Sequence, residues 1–271
     1  MPVRPHYIGV GRSGNLLNRV SSSIIMQAPH PPLTDYYAHE ADRDGWVCRL
    51  FDRTAGDYDR VERAMALGSG SWYRRRALRR AGLEPGMRVL DVGVGTGLTA
   101  REAAYLVGTS GQVTGVDPSA GMMRCAIVPA GVKLLLGSAE AIPVPPDAAD
   151  FISMGYALRH VADLSVAFRE FMRVLKPGGR ICVLEITSPA GRAPRMLLKA
   201  YMRGVVPLVA GCIARHREVP KLMRYYWDTI EACASPSVIM TAISDAGFVD
   251  VRRTVSLGIF SEYCARKAGV S

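Results

Sequence analysis

The stretch "VLDVGVGTGLT" (residues 89–99) joins a short apolar run to a loop with glycine at positions 93, 95 and 97. This pattern is typical of the first strand–loop–helix unit of an open α/β sheet, in which ligands bind beyond the carboxyl ends of the strands. Glycines allow a tight turn and let a ligand approach the backbone, and the following helix offers its N-terminal amides. The stretch therefore predicts a ligand site where the first strand ends.

Strands and helices alternate after this loop. We predict strands at "MRVLDVG", "QVTGVD", "VKLLLGS", "FISMGY" and "GRICVLEIT", and helices at "LTAREAAYLVG", "SAGMMRCAI" and "DLSVAFREFMRVL". Such alternation implies a parallel, doubly wound sheet, and near-continuous apolar strands agree with a sheet covered on both faces. The fold class is therefore α/β.

The segments flanking this region read as helical. Residues 35–82 are amphipathic, with predicted breaks at 56–57 and 68–71. Residues 188–234 predict two or three helices that form a cap or lid after the fifth strand. A last helix (236–246) and two final strands (249–256 and 258–266) complete the pattern.

We predict one domain over residues 35–271, preceded by a flexible N-terminal extension over residues 1–34. The extension contains arginines and serines but no acid before Asp35, which weakly resembles an organellar transit peptide. The alternative is an upstream start codon, with Met26 as the other candidate start.

Composition restricts the function classes. The 271 residues are 49% hydrophobic and 21% charged, the mix of a soluble globular protein. No apolar run approaches the roughly 20 residues of a membrane span; "GVVPLVAGCIA" (204–214) is short and contains a proline. The net charge is +10, but the basic residues are dispersed. Their one dense cluster, "WYRRRALRR" (72–80), is better explained as a solvated helix face than as an RNA- or lipid-binding strip.

The cysteines and most histidines do not have the sequence spacing of metal ligands. No two of the six cysteines form a CxxC motif, so we expect reduced, mostly buried thiols in a cytosolic protein, and no metal site. His6, His30, His39 and His216 have no partner pattern, and we expect them at the surface.

The residues around the loop specify its ligand. A dinucleotide loop would have its third glycine at Leu98, whereas Asp91 beside this loop suits a cationic amine better than a pyrophosphate. Asp117, at the end of the second strand, is placed to accept hydrogen bonds from ribose hydroxyls. "GSAEAIP" (137–143) offers polar groups for an adenine edge. Amine, ribose and adenine without phosphate describe S-adenosylmethionine. A role as a helix cap or turn residue would explain Asp91 or Asp117 alone, but it would not explain why both lie at the end of a predicted strand.

Longer motifs then resemble a known family. "FDRTAGDYDRVERAMALGSGSWYRRRAL", "VLDVGVGTG", "VTGVDPSAGMM", "GSAEAIP" and "YALRHVADLSVAFREFMRVLKPGGRICVLEITSP" together resemble the C-methyltransferases of ubiquinone and menaquinone biosynthesis. The resemblance runs from Leu50 to Pro189 and more thinly through 224–232 to 246–251. It implies a Rossmann-like class I methyltransferase sheet of seven strands, the last one antiparallel. It also implies methyl transfer from S-adenosylmethionine to a ring carbon of a prenylated hydroquinone or phenol.

The resemblance also implies the cofactor site. Tyr58 resembles a residue that closes over the cofactor, and the loop and the ends of the next strands match the remaining positions. The expected cofactor-binding residues are Tyr58, Asp91, Gly93, Gly95, Thr96, Gly97, Asp117, Pro118, Met122, Ser138, Ala139 and Gly155.

Ring methylation needs a base, because the carbon becomes nucleophilic only when an adjacent hydroxyl loses its proton. "GYALRH" supplies Tyr156, Arg159 and His160 at the end of the fourth strand. Arginine is always protonated and would stabilise the phenolate, whereas histidine, with a pKa near 6.5, is the better base. Alternatively, His160 does the hydrogen bonding of the asparagine that the family usually has at this position. Both interpretations stay open.

Two departures leave the acceptor open. The C-terminal "LGIFSEYCARK" (257–267) and the cap (188–234) match the family only loosely, and both regions shape the acceptor pocket. The alternatives are an O-methyltransferase of a natural-product pathway and a methyltransferase-fold protein that uses the cofactor structurally. An RNA methyltransferase would have an Asn/Asp-Pro-Pro-aromatic signature, which is absent, so no nucleic-acid partner is expected. The sequence favours a cytoplasmic enzyme and leaves a homodimer and peripheral membrane contact through residues 195–215 open.

Overall fold

A computed structural model describes residues 28–269. The transit-peptide and start-site interpretations, with His6 and Met26, fall outside the described residues. The chain already packs on the domain before residue 35, because the Pro29 carbonyl accepts a hydrogen bond of 2.6 Å from the Ala234 amide. His30 is only 3% exposed, and its Nε2 lies 3.4 Å from an Arg43 guanidinium nitrogen. The predicted surface position of His30 is therefore wrong.

The described residues form one seven-stranded sheet in the order β3-β2-β1-β4-β5-β7-β6. β1 to β5 run parallel, and β7 is antiparallel to both of its neighbours, which confirms the predicted α/β class with an antiparallel last strand. The strands are β1 Arg88–Val92, β2 Gln112–Asp117, β3 Lys133–Leu136, β4 Ala149–Gly155, β5 Leu175–Ile186, β6 Val249–Ser256 and β7 Phe260–Arg266.

The helices cover both faces of this sheet and build the cap. Helix α5 illustrates how these helices form and pack. The Asp163 carboxylate caps its N-terminus by accepting hydrogen bonds from two amides of the first turn. Its apolar face, which includes Phe168 and Phe171, is buried in the core. The α-helices are α1 Arg43–Met65, α2 Gly70–Arg80, α3 Leu98–Val107, α4 Ala120–Arg124, α5 Leu164–Val174, α6 Arg192–Ala200, α7 Val206–Ile213, α8 Val219–Ala232 and α9 Pro236–Asp245.

The N-terminal helices depart from the prediction at one point. The break expected at 68–71 is confirmed, because α1 ends at Met65 and α2 begins at Gly70. The break expected at 56–57 is wrong, since α1 continues through it. There the buried Asp57 carboxylate accepts from the amides of Arg215 and His216 at 2.8 and 2.7 Å. This residue therefore serves a tertiary contact with the cap rather than a turn.

The cap consists of α8 and one long helix, Arg192–Ile213, in which α6 and α7 are joined by a π-helical turn at Tyr201–Val205. By length and composition this 22-residue helix could cross a membrane. It contains no apolar run of that length, because basic residues interrupt its first half, but the predicted segment 204–214 is part of a longer helix than expected. Pro207 does not break it, because proline is tolerated in the first turn of α7, which follows the π turn.

The thiols are free, as predicted, but only partly buried. Cys182 and Cys264 are buried directly opposite each other on β5 and β7, whereas Cys125 and Cys212 are exposed. The expectation of mostly buried cysteines is therefore wrong for the latter pair.

Candidate active site

The loop requires glycine at three positions mainly because its backbone has positive φ angles there. Gly93, Gly95 and Gly97 have φ of 69°, 53° and 86°, a left-handed region that residues with a Cβ rarely adopt. A Cβ on Gly93 would also lie 2.5 Å from the Cβ of Ala157. Gly97 is the N-cap of α3, while Gly93 and Gly95 line a cavity. The tight turn thus brings two peptide units to the cavity wall.

This cavity lies at the carboxyl ends of β1, β2 and β4 and is closed by α1 and the cap. It gathers most of the side chains that the sequence predicted. The predicted residues that line it are Tyr58, Gly93, Gly95, Thr96, Asp117, Pro118, Met122, Ser138, Ala139, Gly155, Tyr156 and His160. Asp91, Gly97 and Arg159 are not part of its lining.

Two buried carboxyl groups lie near the glycine loop: Asp117 in the cavity lining, and Asp91, two residues before Gly93, outside it. Asp91 Oδ1 accepts from Ser153 Oγ at 2.6 Å, whereas its Oδ2 is buried without a partner. Asp117 accepts from the amides of Gly95 and Ser119, both at 2.8 Å. Burial raises the pKa of Asp91 to about 7 and that of Asp117 to about 6. Both groups therefore favour a ligand that stabilises their charged form.

Arg74 is a cavity residue that sequence reasoning missed. The prediction of a solvated face for residues 72–80 is wrong at this position, because Arg74 is only 4% exposed and lines the cavity. Its NH1 donates to Glu62 at 2.8 Å, and its guanidinium carbon lies 5.2 Å from the centroid of the Tyr156 ring. Its Nε is buried without a partner. A cation with an unused donor therefore lies at the cavity wall.

Helix α1 is tied to the segments that follow β1 and β2 by two aspartates that were also missed. Asp52 accepts from Ser119 Oγ at 2.6 Å and from the Gly121 amide at 2.7 Å. Asp59 accepts from Thr96 Oγ1. The only sequence signal for these contacts is the acidic side chains of "FDRTAGDYD", which do not reveal their partners. The contacts hold Tyr58, which lies between them on α1, over the cavity.

The opposite end of the cavity is aromatic. Phe51, Tyr58, His160 and Tyr226 line it, with ring centroids 5.3 Å apart for Phe51 and His160 and 5.9 Å apart for His160 and Tyr226. The hydroxyls of Tyr58 and Tyr226 are 2.5 Å apart. Of the segment 224–228, Tyr226 thus faces the cavity, whereas Trp227 packs in the cap core. This end can enclose a planar ring.

Arg159 lies behind this aromatic wall rather than in the cavity. It is fully buried, and its NH1 donates to Glu185 at 2.5 Å and to the Tyr156 carbonyl at 2.9 Å. Its guanidinium carbon lies 4.4 Å from the centroid of the Tyr226 ring. The Glu185 carboxylate also accepts from the backbone amide of Ile186 at 2.8 Å. Arg159 therefore acts on the cavity through Tyr156 and Tyr226.

His160 lies in the cavity wall with one free ring nitrogen. Its Nδ1 is 3.4 Å from the Tyr225 hydroxyl, and its Nε2 is buried without a partner. Burial, together with the charge of Arg159, holds the pKa of His160 well below its usual value. The ring is therefore neutral at physiological pH. Within residues 28–269 no three His, Cys, Asp or Glu side chains are grouped to hold a metal ion.

Comparisons with known proteins identify the family and the fold. Residues 38–267 match the model of the ubiE/COQ5 methyltransferase family. The chain is 35% identical over 222 residues to the ubiquinone/menaquinone biosynthesis C-methyltransferase UbiE of Syntrophotalea carbinolica, covering 79% of this chain and 91% of that protein. It is 32% identical over 219 residues to the demethylmenaquinone methyltransferase of Symbiobacterium thermophilum, covering 77% and 87%. A solved SAM-dependent methyltransferase from Aquifex aeolicus shares the fold, with a TM-score of 0.52 and 22% identity over 71% of this chain and 88% of that one.

Proposed function

Because the chain belongs to the ubiE/COQ5 methyltransferase family and is an S-adenosylmethionine-dependent methyltransferase, we propose that it methylates a ring carbon of a quinol-like or phenolic small molecule. The names of its relatives support a quinone-related acceptor. The observation that supports the proposal is the aromatic end of the cavity, where Nε2 of His160 is buried without a hydrogen-bond partner.

The residues present fit the cofactor. We propose that Asp91 Oδ2 accepts from its ammonium group and that Arg74 Nε donates to its carboxylate, because both are buried charged groups with an unused hydrogen-bonding atom. Asp117 would hold the ribose hydroxyls, and the segment with Ser138 and Ala139 the adenine. The backbone from Gly93 to Gly97 and the side chains of Tyr58, Thr96, Pro118 and Met122 would complete the binding surface, with Gly155 opposite them.

When bound, S-adenosylmethionine supplies an electrophilic methyl group on a sulfonium, so the protein mainly positions the acceptor and excludes water. The enclosing rings of Phe51, Tyr58 and Tyr226 serve both purposes. We propose that His160 carries its proton on Nδ1, toward Tyr225, and accepts the acceptor's phenolic proton on Nε2. Loss of that proton raises the electron density on the adjacent ring carbon, whose electron pair then forms the new bond. As this bond forms, the bond between the methyl group and sulfur breaks and S-adenosylhomocysteine is the leaving group. The ring proton is then lost to solvent, which restores aromaticity, and the phenolate oxygen takes back the proton held on His160 Nε2.

Arg159 has a positioning role in this proposal. Its contacts with the Tyr156 carbonyl and the Tyr226 ring fix both walls of the acceptor end. Burial and the charge of Arg159 keep His160 neutral before the reaction, and the same charge disfavours the imidazolium that forms when His160 accepts a proton. Tyr156 packs against Arg74 in the lining of the cavity.

The wider assignments are also proposals. We propose that residues 188–234 are a cap over the acceptor within one methyltransferase domain, because Tyr226 reaches the cavity from this segment. We place the enzyme in the cytoplasm, with peripheral contact to a membrane, and expect no nucleic-acid partner. A homodimer stays an alternative use of the exposed cap surface.

The test is mass spectrometry of the enzyme incubated with methyl-labelled S-adenosylmethionine and a panel of demethyl-quinols and phenols. A label on a quinol ring carbon is the expected result. A label on a phenolic oxygen would instead identify an O-methyltransferase. Bound cofactor without any labelled product across the panel would contradict the proposal and favour a structural cofactor.

A further inference from the structure

The outer face of the helix Arg192–Ile213 is apolar and uncovered. Met196, Leu197 and Leu208 are 70%, 74% and 72% exposed. The other exposed apolar side chains along this helix are Tyr201, Val205 and Val209. Because contiguous exposed apolar surface of this kind is rare on monomeric soluble proteins, it marks a surface that another phase or molecule covers.

The inner face fixes how this helix is oriented. Met202, Val206 and Ala210, at a spacing of four residues, are buried in the cap core, which also contains Trp227. Ion pairs hold the same helix to α8, with Lys199 joined to Glu231 at 3.1 Å. Crossing a bilayer would strip this packing from the middle of the helix. The helix can therefore meet a bilayer only lying flat on it, with its outer face down.

Positive charge surrounds this face. Residues 192–231 contain eight Lys and Arg against three Asp and Glu. Arg192 lies at one end of the helix, and Arg215 and Arg217 follow its other end. All three are exposed and have no ion pair within the described part of the chain. An apolar strip with arginines at both ends complements acyl chains next to anionic headgroups.

We propose that this face, with Met196, Leu197, Val205, Leu208 and the flanking arginines, docks the protein on the surface of an anionic lipid bilayer. Helix α8 is ion-paired to this helix and contains Tyr226, which lines the cavity. Docking would therefore hold the cap side of the cavity next to the lipid. The inference does not depend on which atom of the acceptor is methylated.

The first experiment measures co-sedimentation with phosphatidylcholine vesicles that contain no phosphatidylglycerol or an increasing share of it. Binding should rise with the anionic fraction and weaken with salt, because part of the attraction is electrostatic. Leu197→Glu and Leu208→Glu should each reduce the partition coefficient about tenfold or more, as expected for losing a buried leucine side chain. Leu257→Glu is the matched control, because Leu257 is 87% exposed in the β6–β7 turn and should have no effect.

The second experiment uses the two exposed thiols. Cys212 lies on the proposed face and Cys125 lies outside it, after α4. An environment-sensitive fluorophore on Cys212, in a Cys125→Ser variant, should brighten and shift to the blue with anionic vesicles. The same label on Cys125, in a Cys212→Ser variant, should not change. Arg192→Glu and Arg217→Glu should flatten the dependence on the anionic fraction.

Three results would overturn the proposal. These are no binding at any phosphatidylglycerol content, binding that both leucine substitutions leave unchanged, and equal responses of the two labels. A dimer seen by sedimentation velocity that Leu208→Glu dissociates, without vesicle binding, would assign this face to a second copy instead.

Discussion

Replacing Arg74 should weaken binding of the cofactor's amino-acid portion and leave binding of its nucleoside unchanged. Arg74 lines the cavity with a buried Nε that has no hydrogen-bond partner, and Oδ2 of Asp91, near the glycine loop, is likewise buried without one. A hydrogen bond between charged groups is worth about 1.5–3 kcal/mol. Arg74→Met, which keeps most of the side-chain volume, should therefore raise the Kd about 10- to 150-fold.

The assay is isothermal titration calorimetry with two ligands. S-adenosylhomocysteine has the amino-acid group, whereas 5′-methylthioadenosine lacks it but keeps adenine, ribose and sulfur. Arg74→Met should weaken the first ligand alone. Arg76→Met is the matched control, because Arg76 is exposed on the same helix and stacks on Trp72. Equal weakening of both ligands would show a general loss of the site, and no weakening of either would refute the assignment of Arg74.

Four further predictions concern the remaining titratable and charged residues. Since the pKa of Asp91 is raised to about 7 by burial, and its charged form is the one that binds an ammonium group, affinity for S-adenosylhomocysteine should fall as pH drops below about 7. Calorimetry from pH 5.5 to 8.5 should show the Kd for S-adenosylhomocysteine rising as the pH falls. In Asp91→Asn the Kd should no longer change with pH above about 6. If His160 is the base, His160→Asn should lower kcat at least about 100-fold with little change in cofactor Kd; near-normal kcat would mean that it only replaces the family's asparagine. Because the pKa of His160 is well below 6.5, no histidine titration should appear in the wild-type kcat between pH 6.5 and 8. Arg159→Met should destabilise the fold by about 3–5 kcal/mol in urea, since it leaves the Glu185 carboxylate buried and unpaired, whereas adding Glu185→Leu should recover most of the loss. A double variant as unstable as the single one would contradict that explanation.

Most of the sheet could be predicted from the sequence because its signals are local. The apolar run of β1 and the glycines that follow it specify a strand and a turn largely independently of their surroundings, and Gly93, Gly95 and Gly97 do have left-handed backbones. Asp91 and Asp117 could be placed in the same way, because the carboxyl ends of neighbouring parallel strands meet at one edge of the sheet.

Helix periodicity was less informative, since it distinguishes apolar from polar positions but does not show where a polar side chain lies. The arginines of 72–80 look alike in the sequence, yet only α2 packing against α3 and the sheet decides that Arg74 is buried beside Tyr156 while Arg76 is exposed. The acid at position 57 likewise resembles a turn signal, and only the cap shows that it binds the amides of 215 and 216.

The sequence by itself thus determined the fold class, the position of the glycine loop and the two aspartates that serve it. Tertiary structure alone decided that Arg159 turns away from the cavity toward Glu185, that Tyr226 enters it from the cap and that one face of the helix Arg192–Ile213 stays uncovered. The physical reason is range: backbone preferences act over a few residues, whereas burial and ion pairing depend on side chains that lie far apart in the chain and meet only after folding.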